Sequence, residues 1–372
     1  MKKRFLSMMM VTILALSVVM MGSVTCFAEE AAAEEAEISI NIDELEEVTF
    51  IMTSPLPTVN MMGYAAQQTA VYIEELSGGK MKVDFHPGGE LCSETEDLQY
   101  VADGSTDMCQ CMPTYFKEYI PTFNYAGNQL GGSRAATDFS RWLYMENEET
   151  AAIVNEEFEA YGVKLIGIVS APENGFCSKK EIKGWDDLQG LMLGTGAFVS
   201  TFQALGLDVQ QITVTDTYES LSRGVIDLAS AGFATIYANK YYEICPNILE
   251  MNVANGTIPI FMNLDKWNSL SPAAQEVVTL AAKKALDDEI AFQAGQNQQC
   301  IDAVTEIGGT VNYMTDADKI KFVRQVYLGN YKDYYPSAEA IGRGEQFDTL
   351  ALAAIEKLGL DITLDELKAQ LN

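Results

Sequence analysis

The fold is decided by residues 77–112, which read SGGKMKVDFHPGGELCSETEDLQYVADGSTDMCQCM. Two glycines end a helical pattern there, and residues 81–85 then alternate between apolar and polar as in a strand. Ser93 and Glu96 match a capping box that predicts a helix, and residues 107–112 predict the next strand. This order predicts an α/β protein with a mainly parallel sheet.

Alternating strands and helices continue on both sides of that stretch. Residues 48–54 predict a strand, and apolar residues at helical spacing predict a helix over 62–76. Farther along, the pattern predicts strands over 163–169, 191–193, 209–214, 225–229 and 257–263. It predicts helices over 135–144, 148–161, 197–205, 215–222, 317–331, 347–358 and 364–370.

One predicted helix is much longer than the others. Ser271 and Pro272 match an N-cap followed by proline at the first helical position, and the pattern behind them runs to about Thr305. We expect a helix of that length to span both lobes of a two-lobed chain. The predicted organisation is a first lobe over 48–170, a second lobe over 171–255, and a return to the first lobe over 256–372.

The chain is strongly acidic, with 53 Asp and Glu residues against 24 Lys and Arg residues among its 372 residues. Its formal charge of −29 would repel nucleic acid and anionic membrane surfaces, so neither is an expected partner. Hydrophobic residues make up 48% of the chain, which is enough to build two lobes with real cores.

The N-terminal segment predicts export. Residues 2–4 (KKR) precede an uncharged, largely apolar stretch, which predicts a signal peptide over 1–28 with cleavage after Ala28. Two alternatives stay open, namely an uncleaved anchor helix and a lipoprotein signal with the lipid on Cys26. Each places the protein in the periplasm or on the outer face of the cell membrane. Residues 29–47 carry nine acids and no base, which predicts a flexible leader.

The cysteines outside that segment predict buried thiols. None of them forms a CxxC pair, so the usual motif of a zinc or thioredoxin-like site is absent and no metal site is predicted. Cys109 and Cys111 share one face of a predicted strand, where residues two apart are poor disulfide partners. We interpret them as packing thiols, whereas disulfide pairing in general stays open. The six are Cys92, Cys109, Cys111, Cys177, Cys245 and Cys300.

Catalytic motifs are incomplete or missing. Gly194-Thr195-Gly196 follows a predicted strand, but Val199 stands where a dinucleotide fingerprint has its third glycine. The one histidine, His86, precedes Pro87-Gly88-Gly89 and is typical of a turn. No GxSxG nucleophile elbow occurs. The sequence therefore predicts neither an enzyme nor a cofactor.

Short junctions along the chain carry a family resemblance. Residues 77–83 (SGGKMKV), 87–91 (PGGEL) and 103–108 (DGSTDM) are similar to the motifs SGG+(I/V)(K/E)V, PNGQLG and GTLDM. Residues 218–227 (YESLSRGVID) are similar to YTALQTGVVDG. These motifs belong to the extracytoplasmic solute-binding proteins of TRAP (tripartite ATP-independent) transporters, and the resemblance covers about residues 48–305. Further matches are 185–191 (WDDLQGL), 202–206 (FQALG), 239–243 (NKYYE) and 263–270.

The resemblance implies a two-lobed fold like that of type II periplasmic binding proteins, with a central ligand cleft and a long helix that braces both lobes. It implies a small-molecule solute as ligand, the membrane subunits of a TRAP permease as partner, and a monomer. An exported sensory or enzyme-associated ligand-binding protein with the same fold is the alternative, because a fold does not fix a function.

The chain departs from the family where a carboxylate is usually bound. Gly194 stands where the family usually has an arginine, and Cys177 replaces a second arginine that is often present. Residues 229–231 (ASA) replace the family's QEN. An anion held by the backbone of 194–196 is one explanation. A neutral or zwitterionic ligand is the favoured one, because a buried guanidinium without a partner is costly.

Candidate ligand-binding residues follow the carboxyl ends of strands in both lobes, where open α/β sheets bind ligands. Core packing is the alternative for the aromatic candidates, and a helix N-terminus is the alternative for Glu94. The hinge candidates are the crossings near Ser170–Pro172 and Asn255–Pro259. The candidate residues are Asn60, Tyr64, Glu94, Gln110, Tyr115, Asn174, Phe176, Thr195, Phe198, Ser230 and Phe233.

Overall fold

A computed structural model describes the chain over residues 40–126, 131–196, 198–254 and 256–371. The expected signal peptide, its alternative lipid site at Cys26 and most of the acidic leader lie outside the described residues. Across the described ranges, no helix combines the length and apolar character that a membrane crossing requires.

Strands and helices alternate through most of the described chain, as the sequence pattern predicts. The strands are β1 (Val48–Thr53), β2 (Met81–His86), β3 (Met108–Gln110), β4 (Val163–Ser170), β5 (Glu173–Ser178), β6 (Met192–Thr195), β7 (Asp208–Gln211), β8 (Leu228–Ser230), β9 (Asn247–Ala254), β10 (Thr257–Asn263) and β11 (Thr310–Tyr313). The helices are α1 (Met61–Leu76), α2 (Asp97–Ala102), α3 (Gly132–Arg141), α4 (Glu148–Ala160), α5 (Val199–Ala204), α6 (Val214–Arg223), α7 (Phe233–Ala238), α8 (Leu264–Ser269), α9 (Pro272–Glu306), α10 (Asp316–Ala340), α11 (Gly344–Leu358) and α12 (Leu364–Ala369).

The first sheet has the strand order β2-β1-β3-β10-β4 and forms the first lobe. β1 pairs in parallel with β2 and β3, as expected where a helix connects each strand to the next. β10 runs antiparallel between β3 and β4. The predicted α/β class is therefore confirmed, with one antiparallel strand in this sheet.

The second sheet has the order β11-β9-β5-β8-β6-β7 and contains three strands that the sequence pattern did not predict. β5 (ENGFCS) contains polar residues and one glycine, and β9 (NILEMNVA) contains polar residues among its apolar ones. Neither strand therefore shows a clean alternation of apolar and polar residues. β11 is only four residues long. It pairs in parallel with β9 and so forms an edge of the second sheet.

The chain passes between the sheets at three places. β4 leads to β5 through Ala171-Pro172, and β9 leads to β10 past Gly256. The third passage is α9, which packs on α1 and β4 of the first lobe and on α7 and β11 of the second. A long helix that contacts both lobes is therefore confirmed. It begins at Pro272 because the Ser271 hydroxyl accepts a hydrogen bond from Ala274 N at 3.2 Å.

α10 also contacts both lobes, and it is longer than predicted. The predicted helix ends at Tyr331, but α10 continues to Ala340 through Pro336. Proline lacks the N–H for one helical hydrogen bond, so packing has to sustain the last turns. Ala338, beyond the proline, is fully buried and supplies such packing. On the first lobe, the ring of Tyr125 lies 5.2 Å from that of Tyr327 in α10.

An aromatic cluster attaches α10 to the second lobe. Phe202 of α5 is fully buried, and its ring lies 5.3 Å from that of Phe322 in α10. Phe198 packs edge-on against Phe322 at 5.6 Å. Rings at these separations gain packing energy beyond the area that they bury. The cluster therefore fixes the start of α5 against α10.

Candidate functional site

A cavity of about 720 Å³ lies between the two lobes, and we call it the larger cavity. Its volume is in the range of sites that hold small organic molecules. Both lobes, both strand crossings and α10 contribute to its wall. The lining residues are Met62, Met112, Pro113, Thr114, Phe123, Asn124 and Ala126 from the first lobe, Ala171, Pro172, Gly256, Thr257 and Ile258 from the crossings, Gly196, Phe198, Val199, Ser200, Thr201, Gln203 and Gln211 from the second lobe, and Gly329, Asn330, Asp333 and Tyr334 from α10.

Phe198 has an unusual backbone conformation at the wall of this cavity. It precedes α5 with φ 56° and ψ 27°, the left-handed region that residues other than glycine rarely adopt. Its ring is half-buried and packs against Phe202 and Phe322. Strained residues concentrate at functional sites, where surrounding packing holds them in place. Phe198 is therefore an aromatic surface fixed in position before a ligand arrives.

Two asparagines present amide groups at the wall. Asn330 of α10 is half-buried and donates from Nδ2 to the Tyr125 carbonyl at 2.9 Å, which leaves its Oδ1 without a partner among the described residues. Asn124 donates from Nδ2 to the Pro113 carbonyl at 3.1 Å, and its buried Oδ1 likewise has no partner there. An unpaired buried acceptor costs free energy that a ligand donor can recover.

The larger cavity carries little charge. Among its described lining residues, Asp333 is the one with a carboxyl side chain, and none is Lys, Arg or His. Burial raises the pKa of Asp333, whereas Lys117 and Lys332 act in the opposite direction. The described wall therefore offers a carboxylate ligand no cationic partner.

Gly194, where the resemblance places an arginine in the family, faces the core of the second lobe. A Cβ added there would collide with Ile226 Cδ1 and would lie 3.1 Å from Ile212 Cγ2. No longer side chain fits that space unless the core rearranges. The helix after the glycines is also shorter than predicted, since α5 begins at Val199 and has six residues. Gly196 is the glycine of this loop that lines the cavity.

A second cavity of about 330 Å³, the smaller cavity, lies on the other side of Pro172, which lines both. Its wall comes from the segment before α1, from α7 and from the middle of α9. The lining residues are Pro57, Val59, Asn60, Met61, Pro172, Glu173, Val214, Gly232, Phe233, Ala234, Thr235, Ala238, Asn239, Gln293, Gln296 and Asn297.

Several polar groups of the smaller cavity are engaged in the fold. Asn60 Oδ1 accepts from Met62 N at 2.9 Å and so caps α1. The Glu173 carboxylate accepts from Ser133 N at 2.9 Å and from Asn297 Nδ2 at 3.4 Å. These groups hold helix ends and a strand crossing, so less of their hydrogen-bonding capacity is left for a ligand.

The sequence-based candidates are divided between the two cavities and their surroundings. Phe198 lines the larger cavity, and Asn60 and Phe233 line the smaller one. Thr195 and Ser230 end β6 and β8, and Thr195 is buried.

The remaining candidates, like Thr195 and Ser230, are not among the residues that line either cavity. Tyr64 stacks on Phe292 of α9 at 4.5 Å, and buried Gln110 accepts from the Ser54 hydroxyl at 3.4 Å. Exposed Tyr115 is hydrogen-bonded to Glu94, whose charge raises the pKa of the phenol. Asn174 is buried on β5, and its Nδ2 has no partner among the described atoms.

Phe176 requires a correction. Its ring is fully buried and packs 5.6 Å from Phe202 and 6.5 Å from Trp185, so the structure assigns it to the core of the second lobe. The strand-end argument in turn missed the residues from α10. Asn330, Asp333 and Tyr334 follow the i, i+3, i+4 spacing of one helix face, which is the signal that could have identified them.

Buried carboxyl groups secure the strand crossings. Glu289 of α9 is fully buried and accepts from Ser170 N, the last residue of β4, at 2.8 Å. Glu250 of β9 is also buried and accepts from Asn252 N. Burial raises the pKa of both groups, that of Glu250 to about 7 with a contribution from the Glu173 charge. The Glu289 contact fastens α9 to the end of β4, whereas the Glu250 contact lies within β9.

Comparisons with known proteins identify similar chains. The family model DctP, described as bacterial extracellular solute-binding protein, family 7, matches residues 54–335. A solute-binding protein of Sulfitobacter sp. (strain NAS-14.1) is 25% identical over 222 residues, which are 57% of this chain and 65% of that protein, just under two thirds. The C4-dicarboxylate-binding protein DctB of Bacillus subtilis (strain 168) is 20% identical over 284 residues, 74% of this chain and 78% of that protein.

A solved structure has a similar fold. The TRAP periplasmic solute binding protein from Rhodobacter sphaeroides, in an apo open structure, superposes with a TM-score of 0.72 and 23% identity. The superposition covers 84% of this chain and 99% of that chain.

Proposed function

Because the chain belongs to family 7 of the bacterial extracellular solute-binding proteins, we propose that its larger cavity binds one small organic solute. Membership confirms the resemblance found in the sequence motifs, and it makes the chain a binding protein and not an enzyme. We choose the larger cavity as the binding site because of the elements that form its wall. Both lobes, both crossings and α10 converge there.

Binding is coupled to closure of the lobes in this proposal. A solute that contacts Asn124 of the first lobe and Phe198 of the second binds best when the two approach each other. It therefore shifts the population toward a closed state. The crossings at Ala171-Pro172 and beside Gly256 are the proposed hinges, because both line the cavity and connect the sheets.

The solute that this wall suits is polar and has no net negative charge. Asn330 and Asn124 offer acceptor oxygens, and the Phe198 ring offers an apolar surface. The described lining residues supply no guanidinium or ammonium to pair with a carboxylate. A carboxylate would therefore lose its hydration without an ionic partner, which is costly. This departs from the DctB relative, whose name states that it binds C4-dicarboxylates.

The receptor is proposed to act outside the cytoplasm as a monomer and to deliver its solute to the membrane subunits of a TRAP permease. Support comes from the basic and apolar residues of the N-terminal segment and from the family's extracellular assignment. Mass spectrometry of the exported protein's N-terminus distinguishes cleavage after Ala28 from lipid attachment at Cys26.

Calorimetric titration tests the proposed solute class. Mono- and dicarboxylates, uncharged polyols and amides, and zwitterionic amino acid derivatives are titrated into the purified protein at neutral pH. We expect micromolar binding only among uncharged or zwitterionic compounds, with an affinity that falls by about 30-fold or more in Phe198→Ala. Micromolar binding of simple carboxylates, with uncharged analogues inactive, would contradict the proposed class. Undiminished binding by Phe198→Ala would contradict the proposed cavity.

A further inference from the structure

Four potential metal ligands come together inside the first lobe, away from the residues that line the two cavities. Cys109 belongs to β3 and Cys111 follows that strand, whereas Cys92 and Asp97 come from the loop before α2 and from its first residue. The ligand atoms of Asp97, Cys109 and Cys111 all lie within 4.8 Å of one another. Cys92 Sγ lies 2.8 Å from Asp97 Oδ1 and is a further sulfur beside this group of three.

All four side chains are inside the protein. The exposed fractions are 6% for Cys92, 0% for Asp97, 0% for Cys109 and 1% for Cys111. Within the described ranges, this is the one group in which three or more His, Cys, Asp or Glu ligand atoms approach so closely. A second observation that points to a ligand is the state of the Asp97 carboxyl group.

Asp97 is a fully buried carboxyl group without a cationic partner among the described residues. Its Oδ1 accepts from the Thr53 hydroxyl at 3.2 Å and from Cys92 Sγ, whereas its Oδ2 has no hydrogen-bond partner. Burying a carboxylate without a counter-charge is costly, and a cation at this point would offset that cost.

The donor set selects the kind of cation. Three sulfurs and one carboxylate oxygen suit a thiophilic ion with tetrahedral coordination, as in sites for Zn²⁺, and do not suit Mg²⁺ or Ca²⁺. Zn–S bonds of about 2.3 Å place tetrahedral sulfurs roughly 3.8 Å apart. The ligand atoms of Asp97, Cys109 and Cys111 lie within 4.8 Å of one another, so side-chain shifts of about 1 Å bring these three around an ion, with Cys92 turning toward it as the fourth ligand.

We propose that Cys92, Asp97, Cys109 and Cys111 form a buried structural site for one thiophilic divalent cation, best matched by Zn²⁺. Each cysteine gives up its thiol proton to solvent when its sulfur binds the ion. No oxidation or reduction is involved. The site joins the loop before α2 to the end of β3, and Met112, the next residue after Cys111, lines the larger cavity.

This proposal departs from the prediction that the chain holds no metal. That prediction rested on the absence of a CxxC pair. Here four residues stand between Cys92 and Asp97, eleven between Asp97 and Cys109, and one between Cys109 and Cys111, and folding brings the ligands together. Only the Cys109-x-Cys111 pair is close in sequence, and its side chains share one face of the strand, as the period of two predicts.

Metal analysis of the purified protein in reducing buffer tests the site. After equilibration with Zn²⁺ and removal of free metal, we expect about one equivalent of zinc per wild-type chain, as for a structural site. Titration with Co²⁺ should produce the intense near-ultraviolet absorption of sulfur-to-metal charge transfer. Cys109→Ala and Asp97→Asn should lower retained zinc roughly tenfold or more, because each removes a ligand.

The matched control is Cys300→Ala, which removes an equally buried thiol from α9 and should retain the wild-type amount of zinc. Circular dichroism verifies folding of each variant, and the Co²⁺ titration of the wild-type chain needs no variant at all. The proposal is overturned if the wild type keeps less than about a tenth of an equivalent and shows no charge-transfer band. Equal zinc loss in Cys300→Ala, or a Cys109–Cys111 disulfide in the isolated protein, would also overturn it.

Discussion

The two cavities differ in what their walls leave available to a ligand. The larger one has about 720 Å³ and the smaller about 330 Å³, and Pro172 lines both. In the smaller cavity, Asn60 caps α1 and Glu173 holds the N-terminus of α3. In the larger cavity, Phe198 offers an aromatic surface and Asn330 offers an acceptor oxygen that no described residue uses.

This difference indicates that a position at a strand end is not sufficient to define a ligand site. Both cavities lie near strand ends and both take residues from two lobes. What distinguishes the larger one is two buried oxygens without a partner among the described residues, Asn124 Oδ1 and Thr257 Oγ1, together with the contribution of α10. The account therefore predicts that equivalent substitutions have unequal effects on solute affinity in the two cavities.

The largest effect is expected for the aromatic pair Phe198 and Phe233. Phe198→Ala should weaken solute binding by about 30-fold or more, because loss of a packed ring costs roughly 2 kcal/mol or above. Phe233→Ala in the smaller cavity should change affinity less than about threefold, within the range of a side chain that makes no contact. Calorimetry with the co-purified solute measures both.

Phe198 also packs on Phe202 and Phe322, so its replacement lowers stability as well. Thermal unfolding of each variant separates that loss from the loss of affinity. Equal losses of solute affinity in Phe198→Ala and Phe233→Ala would contradict the proposal that the solute binds in the larger cavity.

A matched asparagine pair gives the next largest effect. Asn330 and Asn239 are both half-buried and both donate from Nδ2 to a main-chain carbonyl, of Tyr125 and Thr235 respectively. Asn330→Ala should weaken binding about fivefold, since one hydrogen bond to the solute contributes roughly 1 kcal/mol. Asn239→Ala should leave the dissociation constant nearly unchanged. The reverse order in titrations would locate the solute in the smaller cavity.

The pH dependence of stability tests the structural role of the buried Glu250 carboxyl group in β9. The pKa of Glu250 is raised from 4.5 to about 7, so the folded state holds its proton more tightly than the unfolded state. Its contribution to stability is therefore complete below pH 4.5 and is lost as pH rises toward 7. Glu250→Gln should reduce the difference in unfolding free energy between pH 5 and pH 7.5 by roughly 2 kcal/mol.

The amide of glutamine can still accept from Asn252 N, so the substitution mainly removes the titration. Glu306→Gln, at an exposed position of α9, is the control and should leave the pH profile unchanged. Denaturant unfolding at the two pH values measures both variants. If the unfolding free energy of Glu250→Gln depends on pH as steeply as that of the wild type, a group other than Glu250 causes the pH dependence.

The smallest expected effect is a change in the dimensions of the whole protein. Solution scattering should give a smaller radius of gyration when saturating solute draws the lobes together. Phe198→Ala at the same solute concentration should show less of this change. An unchanged radius for the saturated wild type would contradict closure at the two crossings.

Local patterns in the sequence were sufficient for most of the fold. The cap at Ser271 and Pro272 and the pattern behind it predicted a helix to about Thr305, one residue before the end of α9. The prediction succeeded because cap residues and apolar spacing specify a helix locally. β5 and β9 were missed because their burial is set by neighbouring strands and not by their own alternation. β11 is too short to show a pattern.

The candidate site was only partly predictable. Strand ends led to Phe198, but they also led to Phe176, whose ring the fold places in the core. The contribution of Asn330 depends on α10 returning across both lobes, which no local pattern specifies. Long-range packing therefore determined which of the plausible residues came together.

A crystal structure of the protein with the solute that co-purifies with it tests the account most directly. We predict electron density in the larger cavity, with the solute in contact with Phe198 of the second lobe, Asn124 of the first lobe and Asn330 of α10. We also predict that the solute bound there carries no net negative charge. Density in the smaller cavity, or a solute that touches one lobe only, would contradict the account.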